Sequence, residues 1–191
     1  MTTEKEFLEV YAEQTPNPET MKFVFNKMIL PDDSADFPSR DTTDSSPLAK
    51  NLYEFNFVNG VFIMNNFVTI TRREGIEWDS IIPITKAFLK SYIEAKEPIL
   101  FKTTSTDRTD FGDDNVIVAQ IKDVLETYVK PAVENDGGQI VFKDYMNGVV
   151  TLEMRGSCSG CPSSTITLKR GIESMLTRMI PDVKEVVAQA M

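Results

Sequence analysis

Lys102 to Asp114 reads Lys-Thr-Thr-Ser-Thr-Asp-Arg-Thr-Asp-Phe-Gly-Asp-Asp, a run almost free of apolar side chains inside a 191-residue chain. A segment that buries no apolar surface gains nothing to offset the entropy of being ordered, so it reads as a linker. The chain must therefore close twice, over residues 1–101 and over 115–191, with 102–114 between them. Each part mixes helix and strand signals, so the expected class is α+β in two small domains.

In the first part, Leu8 to Thr15 reads as a strand, Pro16-Asn17-Pro18-Glu19 as a turn and Met21 to Asn26 as a second strand. Pro31 to Ser46 is rich in Asp, Ser, Thr and Pro and reads as a loop. Ser46 caps and Pro47 opens a short helix through Phe55. Asn59-Gly60 and Asn65-Asn66 are turn signals around Val61 to Met64, and Phe67 to Thr71 alternates after them, which suggests a hairpin. Trp78 to Lys96 places Ile81, Ile82, Thr85, Phe88, Leu89, Tyr92 and Ile93 at helical spacing, with Pro83 in the first turn. Phe23, Phe25, Phe55, Phe57, Phe62, Phe67, Trp78 and Phe88 supply an independent core.

In the second part, Val116 to Val133 is an amphipathic helix whose stripe is Ile117, Ile121, Val124, Leu125, Tyr128 and Ala132, with a disturbance expected at Pro131. Asp136-Gly137-Gly138 ends it. A two-residue turn at Asn147-Gly148 would put Val141, Tyr145, Val150, Leu152 and Met154 on one face of a hairpin, with Lys143 as a misfit there. The final helix runs from Pro162 to about Met179 with Leu168, Ile172, Met175, Leu176 and Met179 inward. Pro181 stops it, and Val183 to Val187 suits a closing edge strand. The order is α-β-β-α-β, with a Cys-x-x-Cys loop before the second helix and helices on one sheet face.

Cys158 and Cys161 in that loop are the only cysteines of a chain with no histidine. Gly160 lets the backbone turn sharply between them, and Pro162 suits a first helical position. Backbone N–H groups and the helix dipole at such a place would stabilise thiolates and lower their pKa. A structural zinc site or an iron–sulfur cluster wants four ligands, of which one chain offers two thiols. The rest would come from a second copy, a small thiol or carboxylates, and a two-fold dimer sharing one centre is the simplest arrangement. Spacing alone leaves three readings open: a metal or cluster site, a dithiol/disulfide pair, and chance. Ser157, Ser159, Ser163 and Ser164 could donate hydrogen bonds to sulfur, or serve only as caps and loop solvation.

The net charge of −9 disfavours nucleic acid and anionic membrane as partners. No stretch has the length of a membrane span, and Met1 to Val10 lacks the basic start and apolar run of a secretory signal. Two cysteines so close together argue against a disulfide scaffold, which points to a reducing, cytoplasmic setting. Without histidine the common Ser/His and Cys/His nucleophile arrangements are gone. The expectation is a protein that is not an enzyme.

Val129-Lys130-Pro131-Ala132-Val133-Glu134-Asn135-Asp136-Gly137-Gly138, then the segment Gly156 to Lys169 around Cys158 and Cys161, and Gly171-Ile172-Glu173, resemble the C-terminal domain of the NifU-like (Nfu) iron–sulfur proteins. Thr15-Pro16-Asn17-Pro18, Met21-Lys22-Phe23, Ser46-Pro47-Leu48-Ala49 and the Phe67 to Thr71 strand are similar to the Nfu N-terminal domain. The resemblance implies a carrier or scaffold that holds a 4Fe-4S cluster between two protomers, receives it from upstream assembly proteins and hands it to apo targets. It implies Cys158 and Cys161 as ligands and a homodimer when cluster-bound; apart from the resemblance, the polar linker would let the N-terminal part, which has no cysteine and no histidine, dock a target while the cysteine loop reaches that target's thiols. The alternatives are a thiol-disulfide oxidoreductase using Cys158 and Cys161, and a structural zinc-bridged dimer.

Overall fold

A computed structural model describes residues 7–101, 116–159 and 162–190. The chain forms two compact units, Met1–Thr103 and Thr104–Met191. The expected linker at 102–114 lies outside the described residues.

The first unit is a five-stranded antiparallel sheet in the order β1-β2-β5-β4-β3. Its strands are β1 (Val10–Gln14), β2 (Thr20–Phe25), β3 (Leu30–Phe37), β4 (Val58–Asn65) and β5 (Phe67–Arg72), with helices α1 (Pro47–Leu52) and α2 (Trp78–Glu94). Alternation along β2, β4 and β5 sends Phe23, Phe25, Ile63, Val68 and Ile70 into one core with Leu48, Leu52, Ile81 and Leu89 from the helices. Phe62, Met64 and Phe67 point the other way and make a second, smaller cluster. The β4–β5 hairpin turns at Asn65, whose φ of 47° an asparagine tolerates. Ser46 caps α1 as expected, its Oγ accepting from the Ala49 N–H at 3.0 Å, although the helix ends at Leu52 and not at Phe55.

Several expectations fail in this unit. The supposed loop after Pro31 contains β3, an edge strand against β4 with a register shift between Leu30 and Ser34. An edge strand takes its order from the neighbour's backbone and tolerates polar side chains, so composition hid it. Asn59-Gly60 does not turn the chain but sits in a bulge inside β4, with the register shifting between Val58 and Gly60. A Cβ at Gly60 would lie 3.0 Å from Thr71 Oγ1, so the glycine allows close strand approach. Pro83 falls in the second turn of α2 rather than the first.

The second unit begins with α3 (Val116–Val124), a π-helical turn (Leu125–Val129) and α4 (Lys130–Asn135) in succession. Proline at 131 has no N–H and its ring crowds the carbonyl four residues back, so the preceding turn widens. The Lys130 N–H accordingly donates to the Leu125 carbonyl, five residues back. The extra residue moves the buried stripe on by one position. Val129 and Val133 are inside with Ile121, Val124 and Leu125, while Tyr128, expected inside, is exposed.

A three-stranded sheet follows, ordered β6-β7-β8, from β6 (Gly138–Met146), β7 (Val149–Gly156) and β8 (Glu185–Ala190). Asn147 and Gly148 both have positive φ, 54° and 88°, and Met146 pairs with Val149 as expected. A bulge between Phe142 and Asp144 changes the inward set on β6 to Ile140, Phe142 and Tyr145, opposite Met154, Leu152 and Val150. Val141 therefore leaves the expected face, and so does the misfit Lys143. Its Nζ lies 2.6 Å from Glu153 Oε2 on the other side of the sheet. Burial opposes the charge of Glu153, yet the bonds from Lys143 and Arg155 outweigh it and hold the carboxyl below its usual range.

Helix α5 (Pro162–Met179) connects β7 to β8, which run parallel, leaving β7 in the centre. Ile172 and Leu176 are buried as expected, but Met179 is half exposed and Ile180 takes its place. Strand β8 starts at Glu185, two residues beyond the expected Val183.

Candidate functional site

Three segments meet where β7 ends. Antiparallel pairing brings Gly138, at the start of β6, opposite Gly156. The Asp136–Gly137 turn that closes α4 lies beside them, and the parallel crossover starts α5 at Pro162. Gly137 at φ 80° and Gly156 at φ 65° supply the left-handed turns that let the chain reverse on both sides.

Cys158 stands at this junction as a free thiol, 6% exposed and packed with the second unit's core. Its Sγ occupies the place a side chain at 138 would need, since a Cβ there would be 2.5 Å from the sulfur and 2.8 Å from the Arg155 carbonyl oxygen. The surrounding loop is pinned by its serines. Ser157 Oγ donates to the Asp136 carbonyl at 2.5 Å, and the Ser157 N–H to the Gly137 carbonyl at 3.2 Å. Both the N–H and the Oγ of Ser159 donate to the Gly156 carbonyl, at 3.1 and 2.9 Å. From the first turn of α5, Thr165 Oγ1 donates to the Cys158 carbonyl at 3.0 Å.

This geometry corrects the expected electrostatics. A helix start does follow Cys158, but the residue packs with the core and its sulfur fills the space over Gly138. Burial is the largest influence and pushes the thiol up to about 11; the Ser157 hydroxyl lowers it and the Asp136 charge raises it further. The Ser157 oxygen lies 4.0 Å from Sγ while its hydroxyl donates to the Asp136 carbonyl.

Of the two expected ligands, the structure places Cys158; Cys161 lies outside the described residues, as do the side chains of Ser163 and Ser164. Among the described residues no group of three or more His, Cys, Asp and Glu side chains lies together for a metal ion. Ser159 serves the loop backbone, while Ser157 both ties the loop to Asp136 and lies within 4.0 Å of the Cys158 sulfur. Gly138 and Thr165 belong to the site without having been read from sequence. The signal for Thr165 was a hydroxyl residue in the first turn after Pro162. For Gly138 it was a second glycine, where Gly137 alone would have ended the helix. A cavity of about 50 Å³ between the π-turn and β6, lined by Lys122, Glu126, Lys130 and Phe142, contains none of these residues.

Two family models match the chain: "Scaffold protein Nfu/NifU N terminal" over residues 10–96, and "NifU-like domain" over residues 121–187. A relative from Drosophila ananassae named "NFU1 iron-sulfur cluster scaffold homolog, mitochondrial" is 42% identical over 179 residues, covering 93% of this chain and 63% of the relative. The Drosophila willistoni protein of the same name is 41% identical over 93% of this chain and 62% of its own length. The chain therefore spans somewhat under two thirds of these relatives. Among solved structures, a NifU-like protein from Saccharomyces cerevisiae superposes at TM-score 0.47 and 20% identity, over 54% of this chain and 92% of that one. A Staphylococcus aureus protein superposes at TM-score 0.37 and 17% identity, over 42% and 98%. The mitochondrial names overturn the expected cytoplasmic setting. Cysteine usage argues only against an oxidising compartment and does not tell one reducing compartment from another.

Proposed function

We propose, from the premise that this chain belongs to the NifU-like (Nfu) family, that it is a carrier and scaffold for iron–sulfur clusters, which it holds as cargo and passes to apo proteins. The observation that carries this reading is the match of both units to proteins named as iron–sulfur cluster scaffolds, in a chain whose only thiols form Cys158-x-x-Cys161 between β7 and α5. The cargo is a 4Fe-4S cluster held by Cys158 and Cys161 of two protomers, because four thiolates are wanted and each chain brings two. Binding displaces the thiol protons, so the raised pKa of Cys158 is overcome by metal–sulfur bonding itself. Ligands split over two chains can be exchanged one at a time. Each incoming thiolate of an apo protein takes one iron position, and the cysteine that leaves takes up a proton again.

The Met1–Thr103 unit docks the recipient, and the intervening segment raises the effective concentration of its cysteines near the loop. The proposed setting is the mitochondrion, following the relatives' names, and fractionation of cells expressing the natural protein tests it. The oxidoreductase reading is weaker. A disulfide-exchange nucleophile must be ionised before it attacks, whereas burial keeps Cys158 protonated. Anaerobic incubation of the full chain with iron and sulfide tests the proposal. It predicts visible absorbance with matched iron and sulfide that is lost in Cys158→Ser and in Cys161→Ser. Colourless zinc-loaded protein, or a disulfide without metal, would overturn it.

A further inference from the structure

We infer that Ser157 and Thr165 form a latch that keeps Cys158 facing the core, and that Ser157 sets how often the latch opens. The inference rests on the reading of Cys158 as a cluster ligand, since that role is what requires the sulfur to leave the core, and cargo loading would wait on this opening. The latch itself follows from geometry. Sγ fills the space above Gly138 and Cys158 as a whole is 6% exposed, so in this position the residue offers little surface to an object outside the unit. A ligand to an external cluster needs a second position, turned outward. Cys158 therefore alternates between two states.

What holds the inward state can be read bond by bond. The Ser159 bonds to Gly156 are local to the loop and can travel with it. The Ser157 bonds to Asp136 and Gly137 tie the loop to the turn closing α4. The Thr165 bond to the Cys158 carbonyl ties it to α5. Turning Cys158 outward pulls on both ties, while the packing of β7 against Ile172 and Leu176 need not change. Ser157 is a positioning residue: it acts on the sulfur through the backbone and not by ligation. Losing one such hydrogen bond should favour the open state about five- to tenfold.

The test uses the full chain with Cys161→Ser, so that Cys158 is its single thiol, and follows modification by iodoacetamide at fixed pH with no iron present. Ser157→Ala should react about five- to tenfold faster than the parent and Thr165→Val severalfold faster, while Ser157→Thr, which restores the hydroxyl, should return toward the parent rate. Ile121→Val is the control. It costs similar stability in the same core away from the loop, and should leave the rate unchanged if opening is local. An unchanged rate in Ser157→Ala, or equal acceleration in Ile121→Val, would overturn the latch. Because no iron enters this assay, its outcome is separate from the carrier reading, which stands or falls on cluster uptake by the chain with both cysteines.

Discussion

Replacing Gly138 with alanine adds one methyl group where three atoms already stand close. The new Cβ would lie 2.5 Å from Cys158 Sγ, 2.8 Å from the Arg155 carbonyl oxygen and 3.2 Å from the Cys158 nitrogen. Sulfur could swing away, but Arg155 O and Cys158 N are backbone. Arg155 pairs with Gln139 in the β6–β7 ladder, so relief requires the strand ends to spread. Overpacking of this kind costs about 1–3 kcal/mol. In a unit of this size that lowers the midpoint of thermal unfolding by about 5–20 °C. Trp78 is the chain's single tryptophan and belongs to α2 in the first unit, so its fluorescence reports on that unit and should not change. Hydrogen exchange at the β7 amides reports on the second unit and should accelerate, with Cys158 becoming reactive at the same time. A Gly138→Ala protein with unaltered exchange and a protected Cys158 would refute the seating of the sulfur against this glycine.

Other consequences are as definite. Tyr53 Oη donates to the Phe37 carbonyl at 2.7 Å, and burial, with the Asp36 charge adding and Arg73 opposing, pushes its pKa up to about 12 from 10.0. A raised folded-state pKa means stability that is complete below pH 10 and lost as pH rises toward 12, about 2–3 kcal/mol in all, and Tyr53→Phe should abolish that part of an alkaline denaturation profile. Glu153→Gln leaves Lys143 and Arg155 facing each other without their shared carboxylate and should destabilise the second unit by about 1–2 kcal/mol in urea unfolding. Cys158→Ala removes a buried core member, so apart from cargo binding it should cost the second unit about 1 kcal/mol, more than an exposed loop position would.

Much of the fold was legible because long periodic segments state their own geometry. The α2 stripe, the Ser46 cap with Pro47, and the Asn147-Gly148 turn all stand where pattern and turn chemistry put them. What was not legible depends on a neighbour. Strand β3 is ordered by the edge of β4, and the glycine at 60 answers to Thr71 lying across from it in β5. The misfit of Lys143 was a real signal: an apolar face interrupted by lysine marked the bulge that sends that residue to Glu153. Pro131 likewise announced a disturbance, but not that a π-turn would exchange Tyr128 for Val129 in the core. At the site, Cys-x-x-Cys identified the chemistry. The direction of Cys158 was hidden, because it follows from the space above Gly138, supplied by pairing across β6 and β7.

If two chains share one cluster through Cys158 and Cys161, association and cluster content must rise and fall together. The most direct measurement is the native mass of the anaerobically reconstituted full chain, with iron and sulfide determined on the same sample. The expected result is a dimer carrying a single 4Fe-4S cluster, so half a cluster per chain, which falls back to monomer on cluster loss and fails to form in either single cysteine variant. A complete cluster in each monomer, or a dimer whose formation ignores the cysteine substitutions, would contradict it.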